Sequence, residues 1–289
     1  MHDTVGPARH AARALTSLLL ATSVLAAGCA LPPLAPDDPR QPALLARGID
    51  GLAPQRPGVA DVYLVAAALW ASEDVFLREA TMAREVFDRR VGTQGRSIVL
   101  ANNRATADTL PYATVAQLSA AIQAAGARLD ADEDVLAVFL TTHGLRNHRL
   151  VVDLGGDPKT GLSPAWLKHV LDRTGARWRI VILSACYTGG FVDAVADDRT
   201  LVVTAADAVN RSFGCGDGER YTFFGDAYLN QALRETGSLI DAFPLAERAI
   251  REREVRGRFP PSNPRFVLGE ALRDKLRAIE ARTAVSRPR

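Results

Sequence analysis

Val135-Leu136-Ala137-Val138-Phe139-Leu140 is an unbroken apolar run, followed at once by Thr141-Thr142-His143-Gly144. Ile180-Val181-Ile182-Leu183 is a second such run, followed by Ser184-Ala185-Cys186-Tyr187-Thr188-Gly189-Gly190. A half-exposed strand alternates apolar and polar residues. A strand that is apolar at every position has to be covered on both faces. Both runs are therefore read as inner strands of a parallel sheet.

The same grammar holds outward from this pair. Strand-like runs span Val62 to Leu69, Ser97 to Ala101 and Leu201 to Thr204, with a last short one at Phe266 and Val267. Helical periodicity fills the intervals. Phe76, Ala80, Ala83 and Phe87 share one face of a helix from Val75 to Arg90, and an Ala-rich helix spans Val115 to Ala127. Ser163 before Pro164 reads as an N-cap and first helical residue. Further helices are expected from about Gly190, from Thr222 to Glu235, from Pro244 to Val255 and from Glu270 to Arg282. Gly155-Gly156-Asp157 reads as a turn after Leu150 to Asp153. Alternating strands and helices imply an α/β domain, a mostly parallel sheet with helices on both faces, over residues 59–282. Residues 283–289 are expected to be a disordered tail.

Composition agrees. The chain has 289 residues, 47% hydrophobic and 24% charged, which excludes a wholly disordered or fibrous protein. A formal charge of +2 gives no reason to expect nucleic acid as a partner. Three cysteines with no C-x-x-C spacing, and five scattered histidines, suggest neither a disulfide scaffold nor a metal site, and no cofactor is expected.

The N-terminus reads as an address. Arg9, His10 and Arg13 precede a charge-free apolar run from Ala14 to Ala27, then Gly28 and Cys29. The run is shorter than the roughly 20 residues of a spanning helix, and the pattern is that of a secretory signal over 1–28. Leu25-Ala26-Ala27-Gly28-Cys29 resembles a bacterial lipobox with Leu25 one place further out than usual; plain secretion is the alternative. The resemblance implies acylation of Cys29 and a lipid-anchored protein of the bacterial cell envelope. With Ala30 next, it would face the periplasm from the outer membrane of a Gram-negative cell. Residues 29–58 are Pro-rich and expected to be an extended tether.

In open parallel sheets, sites form beyond the carboxyl ends of the strands. Two inner strands deliver His143 and Cys186 to that edge, 43 residues apart. A thiolate is a strong nucleophile and needs a base within hydrogen-bond reach, which a histidine supplies. The same histidine then protonates a leaving amine. Adjacent glycines let backbone N–H groups face a carbonyl oxygen. A lone His-Gly or a lone buried cysteine would be read as structural; their joint placement points to chemistry.

Thr142-His143-Gly144, Ser184-Ala185-Cys186-Tyr187-Thr188-Gly189-Gly190-Phe191, Thr204-Ala205-Ala206 with Arg211-Ser212-Phe213-Gly214-Cys215, and Tyr221-Thr222-Phe223-Phe224-Gly225-Asp226-Ala227 occur in one order. Together they resemble the legumain-like C13 cysteine peptidases of the caspase-like group, and within them bacterial members. The resemblance implies a caspase-like three-layer sandwich with sheet order 2-1-3-4-5-6. It implies Cys186 as nucleophile, His143 as base, and the N–H groups of Gly144 and Cys186 as oxyanion hole. It implies peptide or protein substrates cut after Asn or Asp, with Arg78, Ser212 and Asp226 in the specificity pocket. Ser184 stands where legumain has a glutamate, so the pocket is expected to be less negative. Arg78 and Asp226 also read simply as first-turn helix charges. Cys215 is expected to be a buried free thiol and His148 to lie near the cleft. Transfer of the acyl group to an amine, and an inactive binding scaffold, are the alternatives to hydrolysis.

Overall fold

β3 (Val135–Thr141) and β6 (Trp178–Ser184), the strands predicted from the two apolar runs, pair in parallel at the centre of a six-stranded sheet. The computed structural model describes residues 1–3, 34–157, 159–216 and 218–285. The signal segment and Cys29 lie outside them, apart from residues 1–3. Along the chain the elements are α1 (Gln41–Asp50), β1 (Val62–Ala68), α2 (Asp74–Arg90), β2 (Ser97–Ala101), α3 (Val115–Gly126) and β3. Then follow β4 (Leu150–Val152), β5 (Thr160–Leu162), α4 (Pro164–Arg173), β6, α5 (Val192–Val195) and β7 (Thr200–Thr204). A π-helical segment (Gly225–Leu233) runs into α6 (Arg234–Thr236), and α7 (Leu239–Gly257), β8 (Arg265–Leu268) and α8 (Glu270–Val285) complete the chain.

The sheet order is β2-β1-β3-β6-β7-β8, with only β8 antiparallel. Setting aside the antiparallel β4–β5 hairpin, this is the expected 2-1-3-4-5-6 order. Every residue of β1, β3 and β7 is buried, because both faces are covered. On one face Leu64, Ala66, Ala137, Phe139, Ile182 and Val203 pack under α2, the π-helix, α7 and α8. On the other, Val65, Ala67, Val138, Leu140 and Leu183 pack under α3, α4 and the hairpin. Each fully buried Leu, Ile, Val or Phe contributes roughly 1.5–3 kcal/mol, and these two cores hold the three layers together.

Three sequence expectations change. The described part of the supposed tether is not extended. α1 lies within residues 41–50, Leu34, Leu44, Leu45 and Leu52 are buried, and Gln41 exchanges hydrogen bonds with Ala107 O and Tyr112 N. Apolar residues between the prolines dock there, so the compact part begins before residue 59. α7 starts five residues before Pro244, capped by Ser238 Oγ accepting from Asp241 N. Burial of Leu239, Ala242 and Ala246 outweighs the hydrogen bond that Pro244 removes. Finally, α8 continues to Val285, into the expected tail, and residues 286–289 are not described.

Candidate active site

The β3–β6 register pairs Val135 with Trp178 through to Thr141 with Ser184, an offset of 43. That offset equals the separation of His143 and Cys186, so each lies two residues beyond a matched pair of strand ends. Both line one cavity of about 500 Å³, with Gly144, Leu145, Arg146, Tyr187, Arg211, Ser212, Cys215 and Phe259 among its walls.

Gly144 packs its backbone on that of Cys186. A Cβ there would collide with the Cys186 carbonyl oxygen, so only glycine permits the approach. The bridge between Gly144 and Leu150 is closed by Leu145 N donating to Arg149 O and Val151 N donating to His143 O. The N–H groups of Gly144 and Cys186 have no acceptor among the described residues. Two free donors at one edge are what an oxyanion requires.

The turn that follows Cys186 is strained and braced. Tyr187 has φ +61°, in the left-handed region that costs a non-glycine residue about 1–2 kcal/mol. Its N–H donates to Asn210 O at 3.0 Å, and its carbonyl lies 3.2 Å from His148 Nδ1. Arg211 Nε donates to Tyr187 Oη at 3.1 Å. Cys186 is half-buried; its thiol lies 3.5 Å from Ser212 O.

His143 is held from behind. Its Nε2 lies 3.0 Å from Glu73 Oε2, and its ring meets Trp70 and Phe76 edge-on, with centroids 4.5 and 5.1 Å away. A carboxylate can only accept, so Nε2 carries the proton and Nδ1 is left with the lone pair. Glu73 was missed in the sequence. It sits just past the carboxyl end of β1 and before α2, so the strand-end reading that found His143 and Cys186 could have found it too.

The expected pocket residues scatter. Ser212 lines the cavity. Arg78 does not: its guanidinium donates Nε to Arg220 O at 3.0 Å and Nη2 to Glu219 O at 2.9 Å. Those backbone carbonyls occupy the fork that would have bound a substrate side chain. Asp226 does not either. It accepts from Asn230 Nδ2 at 2.8 Å and Gln231 Nε2 at 3.0 Å, and Arg253 Nη1 is 3.6 Å away. Ser184 lies beneath the site, buried, with its hydroxyl on Glu79 Oε1 at 3.2 Å. The charges that do reach the cavity are Arg146, whose Cζ sits 5.4 Å from the Tyr187 ring centroid, and Arg211. Neither has an ion-pair partner among the described residues. Cys215, distant in sequence from any thiol, shares the cavity with Cys186; burial first, then the neighbouring Cys186, pushes its thiol up to about 11.

No curated protein matches the chain. Among solved structures it is similar to caspase-1 from Spodoptera frugiperda, with 13% identity over 76% of this chain and 94% of that one and a TM-score of 0.49. The model of the Peptidase C13 family matches residues 118–272, more than half the chain, a span that includes His143, Cys186 and the whole cavity wall; the chain belongs to that family.

Proposed function

We propose that this protein is a cysteine endopeptidase that opens peptide bonds through a thioester on Cys186. One observation carries the reading: the β3–β6 register brings a histidine and a cysteine to one cavity, beside two unoccupied backbone N–H groups. In the proposed reaction His143 Nδ1 takes the thiol proton and the thiolate attacks the substrate carbonyl carbon. The developing oxyanion accepts from the N–H groups of Gly144 and Cys186. His143 returns the proton to the leaving amine, a thioester remains, and water hydrolyses it in the reverse sense. Glu73 orients the imidazole and fixes its tautomer, as a carboxylate behind a catalytic histidine does.

The residue before the cut is proposed to be Asp or Asn. Ser212 and Arg211 support this, in place of Arg78 and Asp226: a guanidinium accepts a side-chain carboxylate in a two-pronged hydrogen bond and an amide carbonyl in a single one. Arg146 adds a second positive charge, which disfavours Lys or Arg before the cut. We further propose that the domain is acylated at Cys29 and held in the bacterial envelope. No helix among the described residues is long and apolar enough to cross a membrane.

A peptide-library profile of the purified protein, with Cys186→Ala as control, tests the reading. Thiol-dependent cleavage after Asp or Asn is expected. Cleavage that survives Cys186→Ala sinks the peptidase mechanism, and a profile led by Lys, Arg or Leu sinks the specificity alone. Wild-type and Cys29→Ser proteins that partition equally with membranes would refute the anchor.

A further inference from the structure

The apolar stripe of α2 contains an acid. Glu79 lies three residues after Phe76 and four before Ala83, on the buried face, and is fully enclosed at 0% exposure. Its Oε1 accepts from Thr222 Oγ1 at 2.6 Å and from Ser184 Oγ at 3.2 Å, and its Oε2 accepts from the Thr141 hydroxyl. A Cβ at Gly225 would collide with Oε1, so the carboxylate seats directly on the backbone there. No cation pairs with Glu79 among the described residues. A buried acid without a counter-charge is costly, and a leucine would serve the core better. Its retention therefore needs another reason.

Its three partners supply one. Thr141 and Ser184 are the last residues of β3 and β6, register partners of one another, and each stands two residues before a catalytic side chain. Thr222 opens the helical segment that follows the cavity wall at 211–216. One carboxylate thus ties both catalytic strand ends and the far wall of the cavity to a single point.

We propose that Glu79 is a positioning residue: its carboxylate locks the ends of β3 and β6 together, holding His143 and Cys186 in reacting register, and its protonation loosens that lock. The inference rests on the peptidase reading of the site. The lock follows from donor counting. Three hydroxyls offer three protons, and an ionised carboxylate accepts all of them. Once protonated, the carboxyl must itself donate, and one hydroxyl has to turn away. Burial, the largest influence, pushes Glu79 up to about 7, so this change falls in the neutral range. Asp226, from the π-helix, adds repulsion in the same direction, and Cys215, on the cavity wall, feels Glu79 in turn. β3 and β6 present only hydroxyls to it.

Two readouts test the lock. One is the pH dependence of Cys186 alkylation by iodoacetamide, resolved from Cys215 by mass spectrometry, which needs no substrate. The other is kcat and KM on a cleaved peptide. In wild type an inflection near pH 7 beyond that of the Cys–His pair is expected. Glu79→Gln should lose it and lower kcat about tenfold with KM nearly constant, as small misplacements of reacting groups do. Thr141→Val removes one donor but keeps the shape, and should move the inflection to higher pH. If Glu79→Gln fails to fold, Thr141→Val decides. A profile unchanged in either variant, or a Glu79→Gln effect confined to KM, overturns the proposal. If the alkylation profile follows Glu79 while no peptide is cleaved, the peptidase reading fails and the lock stands.

Discussion

The rim of the cavity and the buried cluster at the strand ends treat charge in opposite ways. On the rim, Arg146 and Arg211 are exposed and lack acidic partners among the described residues, so their charge stays solvated at little cost and is free to meet a ligand. In the buried cluster, Glu79 is enclosed and lacks a cation among the described residues, so its charge is expensive and is satisfied by three hydroxyls. Between them lies the plane of His143 and Cys186.

The largest effect belongs to that plane. Cys186→Ala should remove peptide cleavage by about five to six orders of magnitude and His143→Ala by a similar factor, because members of a nucleophile–base unit fail together. Thermal melts of both should match wild type, since both side chains are only half-buried. Residual thiol-sensitive cleavage in Cys186→Ala would move the chemistry elsewhere.

Reversing the rim comes next. Arg211→Glu should lower kcat/KM for Asp before the cut by about 10- to 100-fold, the worth of one charged hydrogen bond, and for Asn by less. Equal losses for both substrates would mean that Arg211 only supports Tyr187, to which it donates. Glu73→Gln should lower kcat about tenfold, because an amide can present its NH₂ to Nε2 and favour the wrong tautomer. Normal turnover would strip Glu73 of its orienting role.

The smallest effect reads the buried cluster through stability. Glu79 titrates near 4.5 when unfolded and about 7 when folded. The folded state therefore holds its proton more tightly. The stability this contributes is complete below pH 4.5 and is lost as pH rises through 7. At 1.36 kcal/mol per unit, the loss is on the order of 3 kcal/mol. Glu79→Gln should melt with a flatter pH dependence between 4.5 and 8 than wild type. Asp134 and Glu280, also pushed up by burial, titrate in both proteins and cancel in the difference. Parallel melting curves would mean that Glu79 does not titrate there.

Legibility followed the range of the interactions involved. The helix from Asp74 to Arg90 was readable because its burial repeats with the helical period, and α4 because Ser163 and Pro164 mark its start. The same stripe concealed Glu79: a single acid between Phe76 and Ala83 looks like surface until the strand ends that face it are known. The segment Gly225–Leu233 reads as an ordinary amphipathic helix; its π geometry, packed against α2 and α7, has no signal in the local pattern. Arg78 fails as a pocket residue for a similar reason. Its position in the first turn of α2 was legible, but the carbonyls of Glu219 and Arg220 that occupy it lie more than 140 residues away.

The sequence by itself determined the layers, the strand order through its family likeness, and the placement of His143 and Cys186 beyond two paired strand ends. Apolar runs and helical stripes are local patterns, and a strand end places whatever residue follows it. Tertiary structure alone decided which charges face the cavity and which are consumed by other partners. An arginine or a glutamate has no fixed role until a carbonyl, a hydroxyl or open water stands opposite, and those partners come from distant parts of the chain.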